Sequence, residues 1–289
     1  MRDWRWTIGE SRKWASPWRY LAFRIARRWG IHECIRFRYA GARFYLFSTP
    51  MTQLMFFDAS RWHGAHDLRV LQTLLRGGDT LIDIGANVGS HCIPLAKRLG
   101  NTTRVYAFEA HPRVFQYLQA NAKLNRLTNL HLYPYALGER EGEVRFTDLH
   151  TDDLNRVASE NADAPVIGVP MRPLDSFECA QQPITLIKLD VEGYELFVLR
   201  GGEQALHQTQ LLYVEVCDSH TESYGYRVRD LATFLRERGW QLYRVSSVQP
   251  LRLSVVEVEP SVAEWENWLG VRDMEWLQAR IRAEVLDGD

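Results

Sequence analysis

Asp83 and Glu109 each close a short apolar run, "TLIDIG" and "RVYAFEA", and the first run leads into Gly85-Ala86-Asn87-Val88-Gly89. Acidic residues at the mouths of two buried strands, one followed by glycines that allow a tight turn and close backbone approach, suit a polar ligand. Glu109 lies 24 residues beyond Gly85, the spacing at which a strand-end carboxylate can accept hydrogen bonds from both hydroxyls of a ribose. Together the two acids define a nucleoside site. Taken singly, Asp83 could cap the turn and Glu109 could be a solvated strand end.

Asn87 decides which nucleoside is expected. A dinucleotide turn reads G-x-G-x-x-G, and here Asn87 replaces the middle glycine and obstructs the approach of a pyrophosphate. Asp83 would repel phosphate but suits an ammonium group. S-adenosylmethionine carries adenosine, a sulfonium and an ammonium, with no phosphate, and so fits Asp83 and Glu109 better than NAD does.

A second cluster follows in "LIKLDVEGYE", where Lys188, Asp190, Glu192 and Glu195 gather as strand becomes helix. Methyl transfer is an in-line displacement that needs aligned reactants and, for a hydroxyl acceptor, a group to take its proton. Asp190, beside the cofactor site, is the first candidate. Lys188 neutralises the cluster, Glu192 is a candidate acceptor contact, and Glu195 reads as an acid in a helix's first turn. "VEVCDSH" adds Glu215, Asp218 and His220 to the same rim. His220 is the alternative base because imidazole titrates near neutrality, although a loop histidine can simply be solvated. Asp190, Glu215 and Asp218 are hard oxygen ligands for magnesium, but nothing fixes their geometry, and no required metal is expected. The polar loop "LHTDDLNRVASENADAP" should overhang the pocket, where Asp152, Asp153, Asn155 and Arg156 could hydrogen-bond sugar hydroxyls or merely connect two strands.

These residues need a frame, and from residue 65 strands and helices alternate. "HDLRVLQTLLRGG" is a helix and "TLIDIG" a strand, followed by a helix from about Val88 to Leu99 and the strand "RVYAFEA". The helix opened by Pro112, the strand "NLHLYPYAL", the hairpin "GEREGEVRFT" and "APVIGVP" come next. Then come "ITLIKLDV", a helix from about Tyr194 to His207, "QLLYVEV" and "VRDLATFLRERG". Such alternation builds a parallel sheet covered by helices on both faces. "WQLYRV" and "RLSVVEVE" are joined too tightly for a crossover helix, so one should be antiparallel. "SVAEWENWLGVRDMEWLQARIRAEVL" reads as helical.

At 289 residues, with 46% hydrophobic and 25% charged residues, the chain has the composition of a globular protein rather than a disordered one. Four scattered cysteines lack zinc or redox spacing. No run approaches the roughly 20 apolar residues of a membrane span. The net charge of −1 hides an asymmetry: residues 1–44 hold eleven Lys or Arg against three acids, and five of the ten tryptophans. "SPWRYLAFRIARRWG" reads as a helix with Trp18, Leu21, Ala22, Ile25 and Trp29 on one face and Arg24, Arg27 and Arg28 on or beside the other. That pattern suits a helix in a membrane interface, or one packed on the domain with its basic face in water. The expected organisation is a basic extension at residues 1–60, a cofactor-binding domain at 61–260 and a C-terminal helix at 261–289.

"GDTLIDIGANVGSHCIPLA", "VYAFEAHP", "YALGEREGEV" and "ITLIKLDVEGYELFVLRGG" resemble the successive blocks of the FkbM-type methyltransferases, a branch of the class I S-adenosylmethionine-dependent enzymes. The resemblance spans about residues 67–217. It implies an α/β, Rossmann-like fold with a seven-stranded, mostly parallel sheet, one antiparallel strand, and methyl transfer to oxygen. It also implies that Asp83, Gly85, Asn87 and Gly89 line the methionine and ribose, Glu109 holds the ribose hydroxyls, and Ala136 and Leu137 border the adenine. "FEAHP" departs from the family, which more often has proline directly after the Glu.

The expectation is thus an O-methyltransferase acting on a hydroxyl, most naturally of a sugar in a glycan or in a glycosylated or lipid-linked precursor, with a natural-product hydroxyl as the alternative acceptor. A nucleotide-dependent oxidoreductase and a non-catalytic glycan-binding module are the rivals. No nucleic-acid partner is expected, and the location is cytoplasmic, with peripheral contact at the inner membrane face through residues 1–44.

Overall fold

The computed structural model describes residues 14–62, 64–149, 151, 154–159 and 163–286. Asp152, Asp153 and the basic residues up to Lys13 lie outside the described residues. The described part begins with α1 (Pro17–Arg28), the hairpin β1 (Arg36–Tyr39) and β2 (Ala42–Tyr45), α2 (Pro50–Asp58) and α3 (Gly64–Leu74). The alternating part runs β3 (Thr80–Ile84), α4 (Cys92–Leu99), β4 (Arg104–Phe108), α5 (Pro112–Asn125), β5 (Leu130–Tyr133), β6 (Ala136–Leu137), β7 (Gly142–Thr147), β8 (Val166–Arg172) and β9 (Ile184–Leu189). It ends with α6 (Glu195–Arg200), α7 (Glu203–His207), β10 (Thr209–Val216), α8 (Asp218–Thr221), α9 (Val228–Glu237), β11 (Gln241–Val248), β12 (Leu251–Val255), β13 (Glu266–Val271) and α10 (Met274–Leu286).

Eight strands form the main sheet in the order β12-β11-β13-β10-β9-β3-β4-β5. The run from β10 to β5 is parallel. All five residues of β3 are buried, as a strand covered on both faces requires. Successive side chains feed opposite cores: Leu81, Leu186 and Leu211 pack on one face, and Ile82, Ile187 and Leu212 on the other.

β13 lies antiparallel between β10 and β11, and β12 adds an eighth, antiparallel edge strand beyond β11. "ENWLGV", read from sequence as helical, is therefore a strand. Pairing on both sides and full burial of Trp268, Leu269 and Val271 override local helix preference. Helix is confined to α10 in this part of the chain. The stretch expected as one strand, "NLHLYPYAL", is broken at Pro134, and β6 joins β8 and β7 in a separate three-stranded sheet. Gly201 and Gly202 divide the expected Tyr194–His207 helix into α6 and α7. A Cβ on Gly201 would stand 1.9 Å from the Gly138 carbonyl oxygen, so only glycine fits there.

Residues 14–60 share the main core rather than forming a separate extension. Phe37, Phe44 and Leu46 join Ile93 and Leu118 in one cluster. Asn125 bonds both the N–H and the C=O of Arg43, and Asn121 Oδ1 accepts from the Tyr45 N–H. In α1, Phe23 and Ala26 face the protein, while Trp18, Ile25 and Trp29 of the expected apolar face are exposed.

Candidate active site

The cofactor half of the site is built on the ends of β3 and β4. Gly85 has φ +78°, and a Cβ there would lie 1.8 Å from the Asp190 carbonyl oxygen. The N–H groups of Gly85 and Ala86 both donate to the Phe108 carbonyl, at 3.0 and 2.9 Å, which ties the turn to β4. Asn87 adopts φ +52°, a left-handed conformation that Asn tolerates better than most residues. Its Oδ1 accepts the Val88 N–H at 2.6 Å. Its own N–H donates 2.9 Å to Glu109 Oε2, and the His111 N–H donates 2.8 Å to Glu109 Oε1. α4 begins at Cys92 rather than near Val88 because this turn consumes its own amides.

A cavity opens above this turn. Gly85, Asn87, Glu109, Ala136 and Leu137 line it, with Phe108, Tyr135 and Phe146 as aromatic walls. Gly89 is off the wall: a Cβ there would meet Ile93 at 2.4 Å and Leu118 at 2.8 Å, so it permits close packing of the turn on the helices. Asp83 is also off the wall, 1% exposed, with no hydrogen-bond donor on either oxygen. Its counter-charge is Lys188, whose Nζ lies 3.5 Å from Asp83 Oδ1. A glycine cradle, an acidic strand end and flat apolar walls fit S-adenosylmethionine, whereas Asp83, enclosed with Lys188, does not reach its ammonium group.

The same cavity is walled on its other side by Lys188, Asp190, Glu192 and Glu215. Lys188 Nζ donates 3.0 Å to Asp190 Oδ2. Burial alone would depress the Lys188 ammonium, but Asp190 and Asp83 outweigh burial and hold it above its ordinary value. Burial likewise opposes the Asp190 charge, and Lys188 reverses the effect, so that carboxyl lies below its usual range. Glu215 goes the other way. Burial, then the charges of Asp190 and Glu192, push it far above the carboxylate range, and it stays protonated at neutral pH, hydrogen-bonded to Asp190.

Glu192 sits at φ +58°, and a Cβ on the adjacent Gly193 would strike the His220 backbone at 2.7 Å. This tight turn brings Glu192 Oε2 within 3.3 Å of His220 Nδ1. His220 stands behind Glu192 rather than on the cavity wall, and burial, followed by Arg156, holds it below its ordinary pKa. Arg156 is beside His220 and off the wall, whereas Asn155 lines the cavity while its Oδ1 accepts the Leu149 N–H.

Asp190, Glu192 and Glu215 place carboxylate oxygens within 4.8 Å of one another, the spacing of a cation site. Asp218, grouped from sequence with Asp190 and Glu215, is instead a structural residue. Its two oxygens accept the N–H groups of Val228 and Val262, at 3.1 and 2.6 Å. Glu195 is 1% exposed, and its Oε1 accepts the Val191 and Gly193 N–H groups, fixing the turn that presents Glu192.

The remaining wall escaped sequence reasoning. Met51, Trp62, Gly64 and Asp67 come from the N-terminal part, and Ser90 and His91 follow the glycine turn. Gly64 lets the Trp62 ring lie against its backbone, since a Cβ there would be 2.3 Å from the indole. His91 Nε2 is 3.0 Å from the Gly64 carbonyl, and burial keeps this ring below its ordinary pKa. The position of Ser90 and His91 directly after Gly89 was the one signal available; nothing in the sequence ties residues 51–67 to the site.

Fold and site together define a Rossmann-like domain with one cavity at the carboxyl ends of its parallel strands. The methyltransferase FkbM domain matches residues 83–242, and the chain belongs to that family. It is 29% identical over 156 residues to the hexuronic acid methyltransferase AglP of Haloferax volcanii, covering 52% of this chain and 60% of that protein. It is 26% identical over 169 residues to the 2-O-methyltransferase NoeI of Sinorhizobium fredii, covering 52% of this chain and 68% of that one. The match thus spans less than two thirds of the first relative's length.

Proposed function

We propose that the protein transfers a methyl group from S-adenosylmethionine to a sugar hydroxyl, in a glycan or in a glycosylated or lipid-linked precursor. One observation carries the reading: a single cavity joins the Gly85–Glu109 turn to the Lys188–Asp190–Glu215 cluster. The hexuronic acid and 2-O specificities in the names of the two relatives support a sugar acceptor.

Gly85, Asn87 and Glu109 would hold the methionine and ribose, and Ala136 and Leu137 the adenine, while Asp83 and Lys188 set the charge beneath. The bound cofactor supplies an electrophilic methyl group. Asp190, kept ionised by Lys188, accepts the hydrogen bond of the acceptor hydroxyl, orients its oxygen and takes up the proton that this oxygen loses on methylation. Protonated Glu215 holds Asp190 in place from the other side. His220 acts through Glu192, holding that carboxylate towards the cavity. Asn155 meets a hydroxyl of the sugar. Calorimetric titration with S-adenosylhomocysteine against NAD tests the cofactor, with binding of the first alone expected; binding of neither sinks the enzyme reading. Mass spectrometry of glycans from cells with and without the gene then tests the acceptor, and an unchanged methylation pattern rejects the sugar.

A further inference from the structure

The first described helix presents a surface that the candidate active site does not use. α1 is anchored on one side. Phe23 packs edge-on against Phe57 at 5.3 Å, Arg19 Nη1 donates 3.0 Å to the Phe56 carbonyl, and the Ala15 N–H donates 3.3 Å to Asp58 Oδ2. The other side faces out with Trp18 64%, Ile25 48% and Trp29 74% exposed, and Ile31, just past the helix, 55% exposed. Positions 18, 25 and 29 fall within one helical sector of about 40° at 100° per residue. Exposed Arg28 lies beside this sector, about 80° from Trp18 at the same 100° per residue, exposed Arg27 points to the opposite side of the helix, and exposed Arg36 and Arg38 follow on β1. Within residues 14–44 seven arginines stand against the single acid Glu33.

Two exposed tryptophans and two exposed isoleucines beside arginines form a combination that water alone does not favour. We propose that the outer face of α1, with Ile31, is a peripheral docking surface for an anionic lipid bilayer. Tryptophan rings settle at headgroup depth, isoleucines gain from the acyl boundary, and arginines extend to the phosphates. A second copy of the chain is disfavoured because a two-fold contact would set the same arginines face to face. Nucleic acid would satisfy the arginines but leave Ile25 and Ile31 without a partner. α1 packs on α2, whose Met51 lines the cavity, so one helix lies between the proposed docking face and the cavity. The docking surface does not depend on the sugar reading of the acceptor.

The test is sedimentation of the full chain with phosphatidylcholine vesicles and with mixed phosphatidylcholine–phosphatidylglycerol vesicles. Binding to the anionic vesicles is expected, with loss in high salt and quenching of tryptophan fluorescence by brominated lipid. Trp18→Ser with Trp29→Ser should lower the bound fraction about tenfold. Arg28→Gln should cost roughly fivefold, on anionic vesicles only. Unchanged S-adenosylhomocysteine binding in each variant shows that the fold is kept. Equal sedimentation of wild type and the tryptophan variant overturns the proposal. So does binding to single-stranded RNA without vesicle binding, or a solution dimer that the tryptophan substitutions dissociate.

Discussion

The Asn87 N–H donates 2.9 Å to Glu109 Oε2, which makes the glycine turn after β3 and the acidic end of β4 one mechanical unit. Glu109 thus has two tasks: it holds the turn, and it faces the cavity. Glu109→Gln puts an amide N–H₂ against one of the two backbone donors. Affinity for S-adenosylhomocysteine should fall by about 2 kcal/mol, read by calorimetry. At Asn87 the left-handed backbone selects the substitutions: Asn87→Gly should retain binding, whereas Asn87→Val should cost about 1–2 kcal/mol of stability in urea.

Lys188 stands between Asp83 and Asp190. Lys188→Met leaves two carboxylates without their cation and should destabilise the protein by about 3–5 kcal/mol in chemical denaturation. Adding Asp83→Asn should recover part of that loss, because the buried charge is removed with its partner. Strict additivity of the two substitutions would show that the pair is not coupled.

Asp190 and Glu215 differ in protonation, and their neutral amides should therefore differ in effect. Asp190→Asn should lower turnover about 10²-fold or more while sparing S-adenosylhomocysteine binding. Glu215→Gln copies the protonated form that burial already enforces, so turnover should stay within about threefold of wild type. A reversed order would exchange the roles proposed for the two carboxyls.

Burial raises Glu195 from its ordinary value to about 7, against the opposing pull of the backbone N–H groups it accepts. Below pH 4.5 both folded and unfolded chains hold this proton. Between 4.5 and 7 the unfolded chain releases it and the native chain keeps it, so stability falls as pH rises through this window and is level above it. Glu195→Gln keeps the acceptor for Val191 and Gly193 and removes the titration. It should equal wild type near pH 4.5 and exceed it at pH 8 by up to roughly 3 kcal/mol, measured by thermal unfolding across pH.

Sequence alone carried the cofactor half of the site because that half is local. Asp83 lies near the end of β3, Gly85, Asn87 and Gly89 lie in the turn after it, and Glu109 is one helix and one strand away, so spacing is enough to bring Gly85, Asn87 and Glu109 together, whereas packing puts Asp83 and Gly89 off the wall. The parallel sheet was legible for the same reason, as strands buried on both faces advertise themselves by unbroken apolar runs. Tertiary structure decided the rest. Whether "ENWLGV" is helix or strand depends on an open slot between β10 and β11, 50 residues and more from some of its partners by chain but adjacent in space. The cavity wall at Met51, Trp62 and Asp67 depends on how residues 14–74 pack over α4 and α5. The opposite ionisation states of Asp190 and Glu215 follow from which one Lys188 touches, and the outward turn of Trp18 and Trp29 follows from Phe23 having found Phe57. Periodicity marks a face of an element; only packing says which face is buried.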